Sequence, residues 1–291
     1  GIWFSIFHAV SSFCNAGFDL LGDSLLADQT NVYLIMVVSA LIIAGGLGFI
    51  VWRDILSYHR VKKITLHSKV ALSVTALLLI GGFILFLITE RNGLTLVKGT
   101  FTERLANTFF MSVTPRTAGY YSIDYLQMSH AGLILTMFLM YIGGTSGSTA
   151  GGLKTTTLGI LLIQMHAMFK GKTRAEAFGR TIRQAAVLRA LTLFFVTLSL
   201  CVVAIMVLSV TETIPKTSGI EYIAFEVFSA FGTVGLTMGL TPDLTLIGKL
   251  VIISLMYIGR VGIMTVVFSL LVKANRAEAN YKYPEESIML G

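Results

Sequence analysis

The chain has 291 residues, of which 55% are hydrophobic and 13% charged, with a formal net charge of +7. A soluble domain carries about a quarter charged residues, so this composition excludes a soluble enzyme, a disordered chain and a disulfide-framed secreted domain. A mean hydropathy of +0.80 and recurrent apolar stretches of about 20 residues make lipid the solvent for most of the chain. Cys14 and Cys201 form no CxxC pair and supply no metal or disulfide framework. The positive charge reads as Lys/Arg-rich membrane loops rather than a nucleic-acid surface.

In chain order, a short apolar segment ends at Gly17 and is followed by Phe18 to Asn31, which carries Asp19, Asp23 and Asp28 and no basic residue. Val32 to Val51 is an uncharged run of 20 residues. Arg53 to Lys69 holds five basic residues and one Asp. Val70 to Thr89 is a second uncharged run of 20. Ala131 to Phe169 is apolar except for a Gly/Ser/Thr-rich insert and Lys154. Lys170 to Arg189 holds six basic residues and one Glu. Ala190 to Thr211 gives an uncharged run of 22, and Leu244 to Val272 is apolar but contains Lys249 and Arg260. At about 1.5 Å per residue each uninterrupted run covers roughly 30 Å, the hydrocarbon thickness. The reading is five long membrane helices, two of them irregular. The two basic loops lie in the cytoplasm, the segments around 18–31, 90–130 and 212–245 outside, and the C-terminus inside. The start on Gly1, within an apolar segment, suggests an upstream part; no signal peptide or soluble domain is expected.

Internal repetition carries the most information. FHAVSSFCNAGF (7–18), FFMSVTPRTAGY (109–120) and FEVFSAFGTVGL (225–236) align without gaps. Phe7, Phe109 and Phe225 open the copies; Gly17, Gly119 and Gly235 stand ten residues later. Asn15, Thr117 and Thr233 lie two residues before each glycine. Each segment is too short to span and sits at an outer connection. The pattern is a helix, a re-entrant half-helix, an extended loop and a second helix. Irregular backbone at membrane depth persists only where it lines an aqueous cavity or is buried in protein. Glycine permits backbone angles that let carbonyls converge on an axis, and such carbonyl rings replace an ion's hydration shell. Thr233-Val234-Gly235 repeats the start of the potassium-channel filter motif. Glycine-kinked interfacial turns are the alternative; three copies at one topological position favour a pore.

These copies, together with YIGGTSGSTAGGLKTTT, resemble the Ktr/Trk/HKT superfamily of potassium transporters, closest to its bacterial KtrB-type membrane subunits. The resemblance covers nearly the whole chain, which looks like a C-terminal two-thirds. It implies an all-α polytopic membrane protein whose repeated helix–pore-loop–helix units surround a pseudo-fourfold ion pore, with the first unit absent here. Residues 1–53 would hold the pore helix, filter and second helix of unit two. Residues 67–169 would form unit three with a broken second helix, 188–273 unit four, and 274–291 a cytoplasmic tail. The implied filter carbonyls are those of Cys14, Asn15, Ala16 and Gly17; Arg116, Thr117, Ala118 and Gly119; and Gly232, Thr233, Val234 and Gly235. The implied cargo is potassium, with sodium a candidate activator. The implied assembly is a homodimer in the bacterial plasma (inner) membrane, seated on a cytosolic RCK-type (KtrA-like) ring that binds nucleotide. Membrane lipid is a further partner, the basic loop 53–69 being the candidate contact for either ring or anionic lipid. The tail, with Tyr281, Tyr283, Ile288, Met289 and Leu290 near Glu285 and Glu286, is a candidate docking segment.

Asp19, Tyr121 and Thr237 stand where the potassium-channel motif has its second glycine. Fewer carbonyl layers follow, and hence looser discrimination against sodium. Asn15, Thr117 and Thr233 either face the ion or brace the loop. Arg116 is expected to turn away from the path and pair with Glu103 or Glu226. Asp124 and Asp243 are candidates for drawing cations to the mouth.

Gly143, Gly144, Thr145, Ser146, Gly147, Ser148, Thr149, Ala150, Gly151 and Gly152 place five glycines in ten residues. A helix interior loses about 1 kcal/mol per Gly relative to Ala, so the insert unwinds, and it is expected to lie below the filter. In the related family this segment is a gate, and a flexible polar loop fits that role. The alternative is a packing kink of small residues. Arg260, a charge inside a membrane helix, faces a cavity or a partner; the expectation is that it holds carbonyls of 143–152. Lys154 does the same or snorkels.

An intramembrane serine protease is the enzymatic rival, since Gly144-Thr145-Ser146-Gly147 fits GxSG. Such a serine needs a base within reach, and none of His8, His59, His67, His130 and His166 is clearly at its depth. A P-loop fails because Leu153 separates Gly152 from Lys154. The expectation is therefore a non-enzyme. Cation-coupled symport remains the mechanistic alternative to channel-like flow, because broken helices also build transporter sites.

Overall fold

Polar caps and glycines set the helix limits. The computed structural model describes residues 1–20, 22–91, 99–172, 174–213 and 219–262. Its elements are α1 (Ile2–Phe13), α2 (Val32–Gly46), α3 (Phe49–Val61), α4 (Leu66–Thr89), α5 (Phe101–Val113), α6 (His130–Tyr141) and α7 (Thr155–Phe169). The strands β1 (Glu176–Ala177) and β2 (Arg180–Thr181) follow, then α8 (Gln184–Thr211), α9 (Glu221–Gly232) and α10 (Leu246–Val261). The strands form one antiparallel hairpin. The call on the tail 274–291, and the part of Leu244–Val272 beyond Gly262, lie outside the described residues.

The core of the arrangement is a contrast in length. Among the described residues, α4 with 24 residues and α8 with 28 are long and apolar enough to cross a membrane. By contrast α1, α5 and α9 have 12, 13 and 12 residues. At 1.5 Å per residue that is about 18 Å, well short of a bilayer. These are the helices that open the three sequence copies. Neighbouring helices hold them: α5 lies between α4 and α2, α9 between α6 and α10, and α1 against α2. At the α6–α8–α9 junction the buried Tyr141 ring stacks on Phe231, 5.5 Å between centroids, with Phe194 and Phe228 edge-on. Its hydroxyl bonds to the Phe194 carbonyl at 2.9 Å and to Thr197 Oγ1 at 2.6 Å, so the aromatic is buried without an orphan polar atom.

The expected single run from Val32 to Val51 is corrected by the structure. α2 and α3 are bent by 95° at Leu47-Gly48, so the run is two helices rather than one straight span. Gly48 has φ 79°, a conformation glycine adopts freely. The Phe49 amide then donates to the Gly147 carbonyl at 3.1 Å, and Trp52 Nε1–H donates back to the Ala44 carbonyl at 2.8 Å. The bend is thus a tertiary contact with the 143–152 insert. The span predicted over 131–169 is also divided: α6 ends at Tyr141 and α7 begins at Thr155. Arg260 lies in the last turn of the described α10, which Gly262 caps with φ 87°.

The helices that follow the second and third copies share an anchor. Thr245 caps α10, and the buried Glu212 carboxylate accepts its hydroxyl at 2.5 Å and its amide at 2.9 Å. Ser129 caps α6, and the buried Glu90 accepts its hydroxyl at 2.5 Å. Methyl groups added at Gly132 and Gly248 would collide with these two carboxylates. Glu90 ties the end of α4 to the start of α6, and Glu212 ties the end of α8 to the start of α10. Glu212→Ala leaves the Thr245 donors unpaired, at about 1–3 kcal/mol. The expected outcome is a lowered melting temperature of the purified protein, with Glu212→Gln intermediate.

Candidate functional site

The three copies meet. Each carries a left-handed residue two places before its glycine: Asn15 (φ 50°), Thr117 (φ 69°) and Thr233 (φ 50°). The glycines are left-handed too: Gly17 (71°), Gly119 (83°) and Gly235 (93°). Such angles are costly for non-glycine residues and concentrate at functional sites. A Cβ built on Gly17 would collide with the Ala118 carbonyl oxygen and lie 3.2 Å from the Gly119 Cα. One built on Gly119 would collide with the Val234 carbonyl oxygen and lie 3.4 Å from the Gly17 Cα. Gly235 has only the Gly119 Cα near it, at 3.7 Å. The carbonyl before one glycine therefore abuts the glycine of the preceding copy, twice in the same sense. That relation is rotational, and the side beyond Gly235 is open among the described residues.

Each loop is fastened to the end of its own short helix through the amide before its glycine, to a carbonyl five residues back in the first and third copies and four back in the second. The amides of Ala16, Ala118 and Val234 donate to the carbonyls of Ser11 (2.9 Å), Thr114 (3.1 Å) and Ser229 (2.9 Å). Ser11 Oγ–H donates to the Phe18 carbonyl at 2.8 Å, and Thr114 does the same to Tyr120. Tyr120 O–H donates across copies to the Phe18 carbonyl at 2.8 Å. In the third copy the buried Glu226 takes over, accepting from Thr237 Oγ1 at 2.8 Å and from Thr241. Asn15 Nδ2 lies 3.4 Å from both the Arg116 carbonyl and Thr117 Oγ1, which is a bracing role between copies. Two oxygens stay without a protein partner though buried: Asn15 Oδ1 and Thr233 Oγ1.

The insert Gly143–Gly152 lies against the filter-like loops. A methyl at Gly143 would come 3.3 Å from Thr117 Cγ2, and one at Gly151 3.0 Å from the Gly232 carbonyl and 3.0 Å from Thr233 Cγ2. Its freed backbone is widely partnered. The Thr145 amide donates to the Gly46 carbonyl (3.0 Å), the Gly152 amide to Gly259 (3.2 Å), and the Gly143 amide to Leu153 (2.9 Å). Lys154 Nζ donates to the Ala150 carbonyl at 2.7 Å, and Arg260 Nη1 to the Thr149 carbonyl. The expected contact of Arg260 with the insert is present. These bonds join the insert to α2, α10 and its own flanks.

Arg116 also departs from expectation. It is buried, and neither Glu103 nor Glu226 pairs with it. Its guanidinium lies 3.4 Å from the Gly143 carbonyl and 3.5 Å from Thr75 Oγ1. Glu103 instead closes a capping box with Thr100, and Glu226 serves Thr237 and Thr241. Asp124 caps the 3₁₀ turn Tyr125–Gln127. Ser146 Oγ pairs with Thr156 Oγ1 at 3.2 Å.

A second repeat escaped the sequence reading. LIIAGG (41–46), LMYIGG (139–144) and LMYIGR (255–260) end the three helices that follow the copies. Gly45 and Gly259 press against the carbonyls of Phe13 and Phe231, the ends of α1 and α9. Arg260 thus stands where the other two copies have Gly46 and Gly144.

The family model described as TrkH, cation transport protein, matches residues 1–280. Ktr system potassium uptake protein B of Bacillus subtilis (strain 168) is 39% identical over 292 residues, covering 100% of this chain and 64% of that protein. The protein of the same description from Vibrio alginolyticus is 34% identical, covering 100% of this chain and 63% of the relative. The chain thus spans just under two thirds of the length of these relatives. The crystal structure of the potassium transporter TrkH from Vibrio parahaemolyticus superposes with a TM-score of 0.76 at 19% identity, covering 95% of this chain and 60% of that one. That likeness shows the fold.

The glycines are not equivalent in space. Gly119→Ala adds a collision with a backbone carbonyl to a left-handed strain of about 1–2 kcal/mol; Gly235→Ala adds only the strain. Gly119→Ala is expected to lower the melting temperature further than Gly235→Ala in detergent-purified protein. Equal melting temperatures would contradict the packing described.

Proposed function

This chain belongs to the TrkH family of cation transport proteins, and we propose that it carries potassium across the bacterial plasma membrane through a filter of backbone carbonyls. The observation that supports this is the meeting of Gly17, Gly119 and Gly235, with the Ala118 and Val234 carbonyls pressed between them. In this reading residues 14–17, 116–119 and 232–235 replace the water around the ion. The open side beyond Gly235 is where a fourth segment would complete the ring. The unpartnered Asn15 Oδ1 and Thr233 Oγ1 offer further oxygen to a hydrated cation on the inner side. Asp19, Tyr121 and Thr237 after the glycines shorten the filter, so discrimination against sodium is modest.

The insert 143–152 is the gate, with Lys154 and Arg260 on its carbonyls. Two cations beside a cation path raise its barrier, and Arg260 holds the loop in place. The basic loops 53–69 and 170–189 face the cytoplasm. The relatives bear the name Ktr system; for this chain we place a homodimer on a cytosolic nucleotide-binding RCK-type ring, with sodium as an activator.

The test is potassium flux by the complete transporter in liposomes, with and without an opposing sodium gradient. Arg260→Ala is expected to raise flux about tenfold, the rate equivalent of about 1.4 kcal/mol. Unchanged flux in a folded variant removes Arg260 from the gate. Flux that follows the sodium gradient identifies coupled transport instead.

A further inference from the structure

The corner between α3 and α4 meets the β1–β2 hairpin away from the ion path. Lys62 closes α3 in a left-handed conformation, φ 47°. Phe178 (φ 51°) and Gly179 (φ 72°) form the hairpin turn; two successive positive φ angles give the tight primed turn that suits a two-residue hairpin. The Ile182 amide closes the base of the hairpin on the Ala175 carbonyl at 2.8 Å. The turn sets the Phe178 ring below the Lys69 ammonium, 5.5 Å from its centroid. Between the two corners lies a cavity of about 420 Å³, lined by Lys62, Lys63, Lys69 and Arg180 with Ile64 and Leu66 among its other walls.

Four cations share this cavity and no acid lines it. Among the described residues none of the four makes an ion pair. The acids of the two loops are engaged elsewhere. Asp54 accepts from Thr65 Oγ1 at 2.5 Å and Ser68 Oγ at 2.7 Å, and Glu176 pairs with Lys172 at 3.0 Å. Like charges gathered without a counter-charge repel one another, so the pocket is complementary to an anion. Its depth in the membrane narrows the chemistry. Leu66 is the first residue of the 24-residue apolar helix α4, so on the topology proposed above the pocket lies at the cytoplasmic headgroup level, with Ile64 and Leu66 as apolar walls. Basic pockets at that level fit anionic headgroups.

We propose that this pocket binds the phosphate of an anionic glycerophospholipid, with Lys62, Lys63, Lys69 and Arg180 around the phosphate and Ile64 and Leu66 toward the glycerol. The shared chemistry is a phosphate anion, and a soluble phosphate compound is its other source. The site is separate from the filter and gate, and the proposal stands whichever ion the transporter carries.

The test uses the complete transporter in nanodiscs of phosphatidylcholine alone or mixed with phosphatidylglycerol. Native mass spectrometry counts the lipids retained after re-extraction. One cation beside an anionic surface changes affinity roughly fivefold. Lys69→Ala/Arg180→Ala is therefore expected to hold phosphatidylglycerol about 25-fold more weakly, with phosphatidylcholine unaffected. The charge-keeping Lys69→Arg/Arg180→Lys is expected to retain it, which separates loss of charge from loss of fold. If the alanine variant fails to fold, the wild type decides: phosphatidylglycerol must raise its melting temperature above that in phosphatidylcholine, and equal temperatures overturn the proposal. Displacement of phosphatidylglycerol from the wild type by pyrophosphate overturns the lipid assignment in favour of a soluble phosphate. Equal retention by the wild type and a folded alanine variant overturns the site.

Discussion

Backbone amides and carbonyls inside a bilayer have no water to bond with, and this constraint shapes the molecule. A chain that breaks its helices at membrane depth must find partners for every freed group or hand them to a cavity. The chain does both. In the three loops the amides before the glycines return to their own short helices, through Ala16, Ala118 and Val234, and the Ala118 and Val234 carbonyls are left against Gly17 and Gly119 of the neighbouring copies. In the insert 143–152 the freed groups are claimed by Gly46, Gly259, Leu153, Lys154 and Arg260.

Glycine works at two levels in this design. At Gly17 and Gly119 it permits both a left-handed backbone and the close approach of the next copy's carbonyl to its own α-carbon. At Gly45 and Gly259 it lets the following helix press on the carbonyl ends of α1 and α9. The second set supports the first, because it fixes where each short helix ends. The carboxylates Glu90 and Glu212 act at the outer ends, tying the caps Ser129 and Thr245 to the preceding spans. The two long helices and their buried acids form a frame around elements too short to stand in lipid alone.

Much of this was legible in the sequence where a local pattern carries the physics. The gapless copies from Phe7, Phe109 and Phe225 gave the short helices and the meeting glycines, and five glycines in ten residues marked the unwound insert. What stayed hidden depends on contacts distant in the chain. The 95° bend at Gly48 falls in an uncharged run that hydropathy reads as one span, since its cause is a bond to Gly147. Arg116 was expected beside a carboxylate but settles on the Gly143 carbonyl and Thr75, because the insert supplies acceptors that no linear reading locates. The Glu90 and Glu212 anchors escaped because their loops differ in length, so the two acids fall out of register with the copies they serve. Arg260 was legible as a charge within an apolar helix, but its place in the LMYIGG/LMYIGR repeat was not read.

The central claim is that carbonyls of the three loops converge on a permeating cation. Anomalous diffraction from crystals of the complete transporter soaked in rubidium or thallium tests it most directly. The account predicts an anomalous peak within coordination distance of the Ala16, Ala118 and Val234 carbonyl oxygens. A map with no peak between these loops, and the bound ion instead at a carboxylate such as Glu226, would contradict it.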